Sequence, residues 1–224
     1  SKNDKAFIVV MEYLTGGSLQ ERLSRPFSVG RFLTVAMAVC RALQQAHQNH
    51  IIHGNLRPSN ILFNDKDEVK ITDFGFDNHY RDQQPGDWYH RGDSKSATVG
   101  EDIVSAGLIF YQMLTGCKPG LVNDQLKTNK NFNVLPIHLQ KVLKGMLETT
   151  SPGHYQQFSD IIPLLKQSQT LHISKQTKKF SFKFRHFLLA LLVVNGLLLV
   201  MLFQMNDEFN QLLGEIVSNA LKHW

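Results

Sequence analysis

Residues 53–75 read HGNLRPSNILFNDKDEVKITDFG, and the fold turns on them. The stretch opens as a polar loop, His53 to Asn60, with Pro58 inside it. Two short runs rich in β-branched and aromatic residues follow, Ile61–Phe63 and Val69–Ile71. Between them lies Asn64-Asp65-Lys66-Asp67, a cluster of turn-forming residues, so the pair reads as a small β-hairpin. Asp73-Phe74-Gly75 closes the stretch.

Working outward, the flanks are helical. From Ser28 to about Asn49 apolar residues recur at helical spacing (Phe32, Leu33, Ala36, Val39, Cys40, Leu43, Ala46). Before that, Thr15-Gly16-Gly17 is turn-like, Ser18 can cap a short helix through Leu23, and residues 6–11 (AFIVVM) are apolar and β-rich. Downstream, Phe76 to Gly100 is polar without a period. Helical spacing resumes at about Glu101–Thr115, Leu139–Glu148 and Phe158–Lys166. No internal repeat is present. The expected fold class is α+β, mainly helical, with a small β-hairpin.

Four separated motifs carry a family resemblance over about residues 6–167. The segments are FIVVMEYLTGGSL (7–19), HGNLRPSN (53–60), DFG (73–75) and DIVSAGLIFYQMLTGCKP (102–119). In order and spacing they resemble the hinge, catalytic loop, metal-binding triplet and central helix of the C-terminal lobe of protein kinases, whose loop reads H-R-D-L-x-x-x-N before a strand pair and D-F-G. Any one motif would be weak; the set is specific.

The resemblance implies an ATP and Mg²⁺ site. Phosphoryl transfer depends on positioning and on metal-borne charge more than on covalent chemistry by the protein. Asn60 offers an amide oxygen and Asp73 a carboxylate, both hard donors suited to Mg²⁺ on nucleotide phosphates. Outside this pattern the same two residues would read as a turn Asn and a strand-end Asp capping the backbone. The backbone of Glu12 and Leu14 would bond the adenine edge, with Met11 at the back of the pocket and Leu62 as its floor. For Met11 and Leu62 an ordinary core role is compatible with that placement. His53 would be structural, and Asp102 would hold the loop backbone from below.

The chain departs from the family at defined points. Asn55 stands at the place of the catalytic Asp; an amide can accept a hydrogen bond but takes no proton near pH 7. General-base help is worth roughly 10²–10⁴-fold, so transfer is expected to be slow. Gly54 replaces the Arg that would pair with a phosphorylated activation loop. Arg57 stands where serine/threonine kinases usually carry Lys; the charge is kept, the geometry is not. No A-P-E triplet follows. Its Glu would fall near His90 in Trp88-Tyr89-His90, and the Arg that would pair with it is replaced by Tyr155, after Ser151-Pro152. Losing both members avoids stranding a buried charge. The glycine-rich loop and its lysine do not occur in these residues. They belong to the family's N-lobe, which would precede Ser1, and a fragment of a longer protein is expected.

Farther on, Phe187 to Asn206 is 20 residues without a charge. At about 1.5 Å per residue this reaches roughly 30 Å, one hydrocarbon core. Asn195 and Gly196 fall mid-span, where they read as tolerated or as a helix-pairing face. Five Lys/Arg precede the run between residues 175 and 186, and Asp207-Glu208 follow it. Positive charge concentrates on the cytoplasmic side, so residues 1–186 are expected there and the tail outside. In the tail, Phe209, Leu212, Leu213, Ile216, Val217, Ala220, Leu221 and Trp224 recur at helical spacing. This amphipathic helix would lie on the outer interface, which Trp224 suits, or zip to a copy of itself. The expected domains are 1–167, a kinase-like C-lobe; 168–186, a basic juxtamembrane linker; 187–206, the transmembrane helix; and 207–224, the tail helix.

Charge and cysteine content agree with this division. The net charge of +5 comes from the basic block: residues 1–174 carry 18 Lys and Arg against 16 Asp and Glu. A basic block beside an apolar span reads as a membrane flank, not a nucleic-acid surface, and no nucleic-acid partner is expected. Cys40 and Cys117 fall in apolar helical patterns without zinc-ligand spacing and read as buried thiols.

Function then divides three ways. One is a membrane-anchored serine/threonine-kinase homologue with nucleotide bound, a protein substrate and weakened transfer. A second is a pseudokinase scaffold for a cytoplasmic protein partner, and a third a helical anchor without a nucleotide role. A homodimer through the membrane or tail helix is a further partner expectation. The layout resembles bacterial receptor-type serine/threonine kinases, in a plasma or bacterial inner membrane.

Overall fold

The structure, a computed structural model, describes residues 10–74 and 97–222; beyond Ser174 it describes side chains at 184–215 and 217. Contacts divide the chain into two compact units, Ser1–His172 and Ile173–Trp224.

The first unit is built on helix α3, Val99–Thr115. Ile103, Ala106, Leu108, Ile109, Phe110, Tyr111 and Met113 on it are wholly buried. A helix buried on all sides is a core helix, and each such large side chain contributes about 1.5–3 kcal/mol. Thr98 and Glu101 form its capping box, and Gly116, at φ +75°, ends it in the left-handed conformation. Helix α2, Val29–Gln48, is capped by Ser28 and buries Phe32, Leu33, Ala36, Val39, Cys40 and Leu43. Phe32 meets Phe110 edge-on at 5.6 Å. Burial pushes the Cys40 thiol far up from its ordinary range and the Tyr111 phenol up to about 12. Neither is ionised at neutral pH. Helix α5, Ile137–Leu147, also packs on α3.

Short elements complete the unit. Helix α1, Leu19–Arg22, starts at a Ser18–Glu21 capping box. Strands β1, Ile61–Phe63, and β2, Val69–Ile71, pair antiparallel with Ile61 opposite Ile71 and Phe63 opposite Val69. These match the expected strands residue for residue. The guanidinium of Arg22 stacks 3.7 Å above the Phe63 ring, and both Arg22 and Arg31 pair with Asp67 in the hairpin turn. That fastens α1, α2 and the hairpin together, and the Arg22 contact helps hold the Asp67 carboxyl below its ordinary pKa.

Three features differ from expectation. A second antiparallel hairpin, β3 (Gly120–Val122) with β4 (Gln125–Lys127), lies between α3 and a short helix α4 (Lys130–Asn133). Its turn is Asn123-Asp124, both at positive φ (49° and 58°), the conformation that two-residue hairpins require and that Asn and Asp tolerate. Its strands are three residues long and largely exposed, so the alternation was too short to read. Helix α6 begins at Phe158 as expected but runs to Lys222 instead of ending near Lys166. The stretch expected as a polar linker, 168–186, is helical, because it holds no Gly or Pro and its Gln, Lys and Ser residues tolerate helix. Finally, Val10 and Met11 are irregular rather than strand. Residues 6–9, the Phe76–Ser96 stretch with Trp88-Tyr89-His90, Gly75, and Trp224 lie outside the described residues.

In the second unit, Phe184–Glu215 of α6 is long and apolar enough to cross a membrane by length and composition.

Candidate functional site

The loop His53–Asn60 hangs from one carboxylate. Asp102, in the first turn of α3, is 1% exposed. It accepts the backbone N–H of His53 (2.9 Å) and of Gly54 (2.8 Å), and its Oδ2 meets His47 Nε2 at 2.7 Å. Three donors around one buried carboxylate satisfy most of its lone pairs, which is what makes such a charge tolerable inside. The structural task expected of Asp102 is therefore visible. His47 was not anticipated. It sits in the last turn of α2, and its only sequence signal is being a polar residue where that helix turns toward the core.

Gly54 takes φ +70°. Glycine adopts this left-handed backbone freely, whereas a residue with a Cβ would be strained there. His53 stacks on Phe74 with ring centroids 4.7 Å apart. Its Nδ1 accepts the N–H of Asn55 at 3.3 Å, which leaves the ring proton on Nε2. Burial, opposed in part by the nearby Asp102 charge, lowers the His53 pKa below its ordinary 6.5. The ring is neutral at pH 7.

Beyond the glycine, the candidate residues are linked in series. Asn55 Oδ1 accepts two N–H groups of Arg57, from Nε at 3.1 Å and from a terminal nitrogen at 2.6 Å. Asn60, 6% exposed, donates Nδ2–H to the Asn55 carbonyl at 3.0 Å. That bond fixes the amide and leaves Oδ1 as the acceptor, taking the Ser59 hydroxyl at 3.1 Å. The Asn60 carbonyl accepts the N–H of Thr72 at 3.0 Å, one residue before Asp73. Because Ile61 pairs with Ile71, Asn60 and Asp73 end up at the same end of the β1–β2 hairpin. Asp73 holds φ +63°, and Thr72 Oγ1 donates to its carboxylate at 3.2 Å. A non-glycine residue kept in that region costs about 1–3 kcal/mol and is often found where function requires it.

The four residues expected around a nucleotide base are placed less tightly. The Thr72 hydroxyl reaches Met11 Sδ at 3.5 Å, which sets Met11 beside the Asp73 end of the hairpin. Glu12 pairs with Lys70 of β2 at 3.6 Å. Leu62 is half-buried in β1, opposite Lys70. Leu14 is half-buried, two residues before the point where Gly16 N–H bonds the Phe63 carbonyl at 2.9 Å. A Cβ on Gly16 would lie 2.5 Å from that same oxygen, so only glycine lets this segment lie against β1. Thr72, which touches both Met11 and Asp73, carried no sequence signal.

Two oxygens at one end of the hairpin, one amide and one carboxylate, make a donor set that fits Mg²⁺. Among the described residues no group of three or more His, Cys, Asp or Glu side chains forms a metal cluster of another type. Tyr155 occupies the place expected for the arginine, its ring lies against Gly145, and its N–H bonds the Gly145 carbonyl at 3.0 Å.

Comparison with known proteins agrees with this geometry. The protein kinase domain model matches residues 1–196. A probable serine/threonine-protein kinase of Corynebacterium efficiens is 30% identical over 172 residues, 69% of this chain and 24% of that protein. Serine/threonine-protein kinase PknB of Mycobacterium tuberculosis is 32% identical over 128 residues, covering 50% of the chain and 20% of the relative. PrkC of Bacillus subtilis is 28% identical over 131 residues, 53% and 20% respectively. The chain thus spans a quarter or less of the length of these relatives. With the family model matching most of its length, and a catalytic-type loop slung from α3 beside the β1–β2 hairpin, this chain belongs to the protein kinase domain family.

Proposed function

We propose that the chain is the C-lobe of a membrane-anchored serine/threonine-kinase-like signalling protein that binds Mg²⁺ and ATP and transfers phosphate weakly. One observation carries this reading: Asn60 and Asp73 present oxygen donors at one end of the hairpin, while Asn55 beside them is an amide whose oxygen is taken by Arg57. Asn60 and Asp73 would hold the ion, which when bound would neutralise phosphate charge. Met11, Glu12, Leu14 and Leu62 would border the base. Arg57 supplies a positive charge beside Asn55. An amide at Asn55 cannot take the proton of a hydroxyl, which lowers transfer by roughly 10²–10⁴-fold. The apolar Phe184–Glu215 segment supports the membrane anchor. The basic block before it supports a cytoplasmic side for residues 1–186.

The Arg57–Asn55 contact also favours a second reading. Both N–H bonds converge on the one amide oxygen that a substrate hydroxyl would need. A lobe so arranged serves as a pseudokinase scaffold for a cytoplasmic protein. The deciding experiment is γ-phosphate transfer from labelled ATP by the full-length protein in membranes, with Asp73→Ala as the blank. Signal above the blank supports weak kinase activity. No signal, together with Mg²⁺-dependent nucleotide binding that Asp73→Ala abolishes, supports the scaffold. Nucleotide affinity unchanged in Asp73→Ala sinks the nucleotide-binding kinase reading.

A further inference from the structure

The apolar part of α6 carries a seam that its membrane role leaves unused. Leu188, Leu192, Asn195, Leu199, Leu202, Asn206, Phe209 and Leu213 follow one another at alternating steps of four and three residues. That is the 3.5-residue period of paired helices, sustained through the span and past its end. All eight are exposed on the helix. Every acidic residue between Phe187 and Glu215 (Asp207, Glu208, Glu215) falls off the seam and off the positions flanking it. The seam is therefore uncharged along its whole length.

Two features set this face apart from one that lipid alone covers. The first is Asn195, mid-span. Its Nδ2 back-bonds to the Leu191 carbonyl at 2.9 Å, and among the described residues its Oδ1 accepts no hydrogen bond. In hydrocarbon an unmatched amide oxygen has no water to turn to, so a donor from another helix is the available remedy. The second is continuity. Asn206 marks the polar edge of the span, yet α6 runs on unbroken to Lys222, and Phe209 and Leu213 stay 62% and 44% exposed beyond it. A tail lying flat on the membrane surface would be set off from the span by a change of direction near Asp207, whereas α6 continues as helix through that point without a break.

We propose that this seam pairs two copies of the chain in parallel and in register. Membrane insertion gives every copy the same direction, so parallel pairing is imposed. In register, Asn195 meets Asn195 and Asn206 meets Asn206, and an amide is donor and acceptor at once, so each pair is self-complementary. The off-seam carboxylates then stay apart. Buried Asn pairs set register and oligomer state in paired helices, which here brings two kinase-like lobes to one membrane site. The proposal rests on the membrane-anchor reading above, and the test separates the two.

The test is oxidative cross-linking of the full chain in native membranes. Single cysteines are placed on the seam (Leu192→Cys, Leu199→Cys, Leu202→Cys) and off it (Val193→Cys, Leu197→Cys, Val200→Cys). The unsubstituted chain, with Cys40 and Cys117, is the blank. Disulfide dimers are expected to form strongly at the three seam positions and near the blank level at the others. Asn195→Leu should weaken association by roughly three- to thirtyfold in a dilution series, and Asn195→Gln should restore it. A flat profile, or Asn195→Leu associating like the parent, overturns the seam. An alkaline wash reads the anchor separately. A chain washed free with its seam pattern intact would sink the anchor and keep the seam. A chain held in membranes with a flat pattern would do the reverse.

Discussion

The loop His53–Asn60 and the apolar stretch of α6 are held in opposite ways. The loop is fixed at a few points by buried polar contacts. One carboxylate, Asp102, takes two backbone N–H groups and an imidazole; the Asn60 side-chain amide ties the loop to itself, and the Asn60 backbone carbonyl takes the Thr72 N–H. Among the described residues, the Phe187–Asn206 stretch offers one side-chain hydrogen bond, from Asn195, and a long apolar surface. Structure specified by a few directional contacts should fail at single residues. Structure specified by average apolarity should tolerate most substitutions, with Asn195 as the exception.

The difference can be broken at its strongest point first. Asp102→Ala strands three donors in the core, and loss of a buried charge partner costs about 3–5 kcal/mol. Urea unfolding of the full chain should show that drop; a loss below about 1 kcal/mol would mean the loop does not depend on Asp102. Next comes Gly16→Ala, which forces a Cβ to 2.5 Å from the Phe63 carbonyl. Overpacking of this kind costs about 1–3 kcal/mol, and the same unfolding measurement reads it. Gly54→Ala follows, at about 1–2 kcal/mol for a Cβ at left-handed φ.

A pH series sharpens the comparison further. His53 is buried neutral, so its pKa in the folded state lies below the ordinary 6.5. Its contribution to stability is complete above pH 6.5 and is lost as pH falls from there through the folded pKa, because the unfolded chain binds the proton first. His53→Phe should flatten that part of the stability profile, and an unchanged slope would assign the loss to other groups. The smallest effect belongs to the other region. Leu197→Ala, off the seam, should change membrane retention by only about 0.5 kcal/mol, measured by alkaline extraction. A large loss there would mean that single positions matter in α6 as they do in the loop.

Much of the first unit was legible because its signals are local. The hairpin β1–β2 was readable from two β-rich runs around Asn64–Asp67, and α2 from its spacing and the Ser28 cap. The second hairpin was not, since strands of three mostly exposed residues leave almost no alternation; only Asn123-Asp124 pointed to it. In the site, Asn55, Arg57, Asn60 and Asp73 stood out by motif. His47 and Thr72 did not, because their partners are 55 and 61 residues away in sequence.

By itself the sequence determined the family resemblance, the helical period of the lobe, the missing carboxylate at Asn55 and the apolar run near the C-terminus. All of these are properties of residue type and spacing. Tertiary structure alone decided which groups meet. It put Arg57 on the Asn55 oxygen, gathered His47, His53 and Gly54 around Asp102, and laid Tyr155 against Gly145. It also carried α6 unbroken to Lys222 where composition had suggested separate pieces. The physical reason is range. Period and propensity act within a few residues, whereas a buried polar group is satisfied by whatever donor the packed core delivers to it.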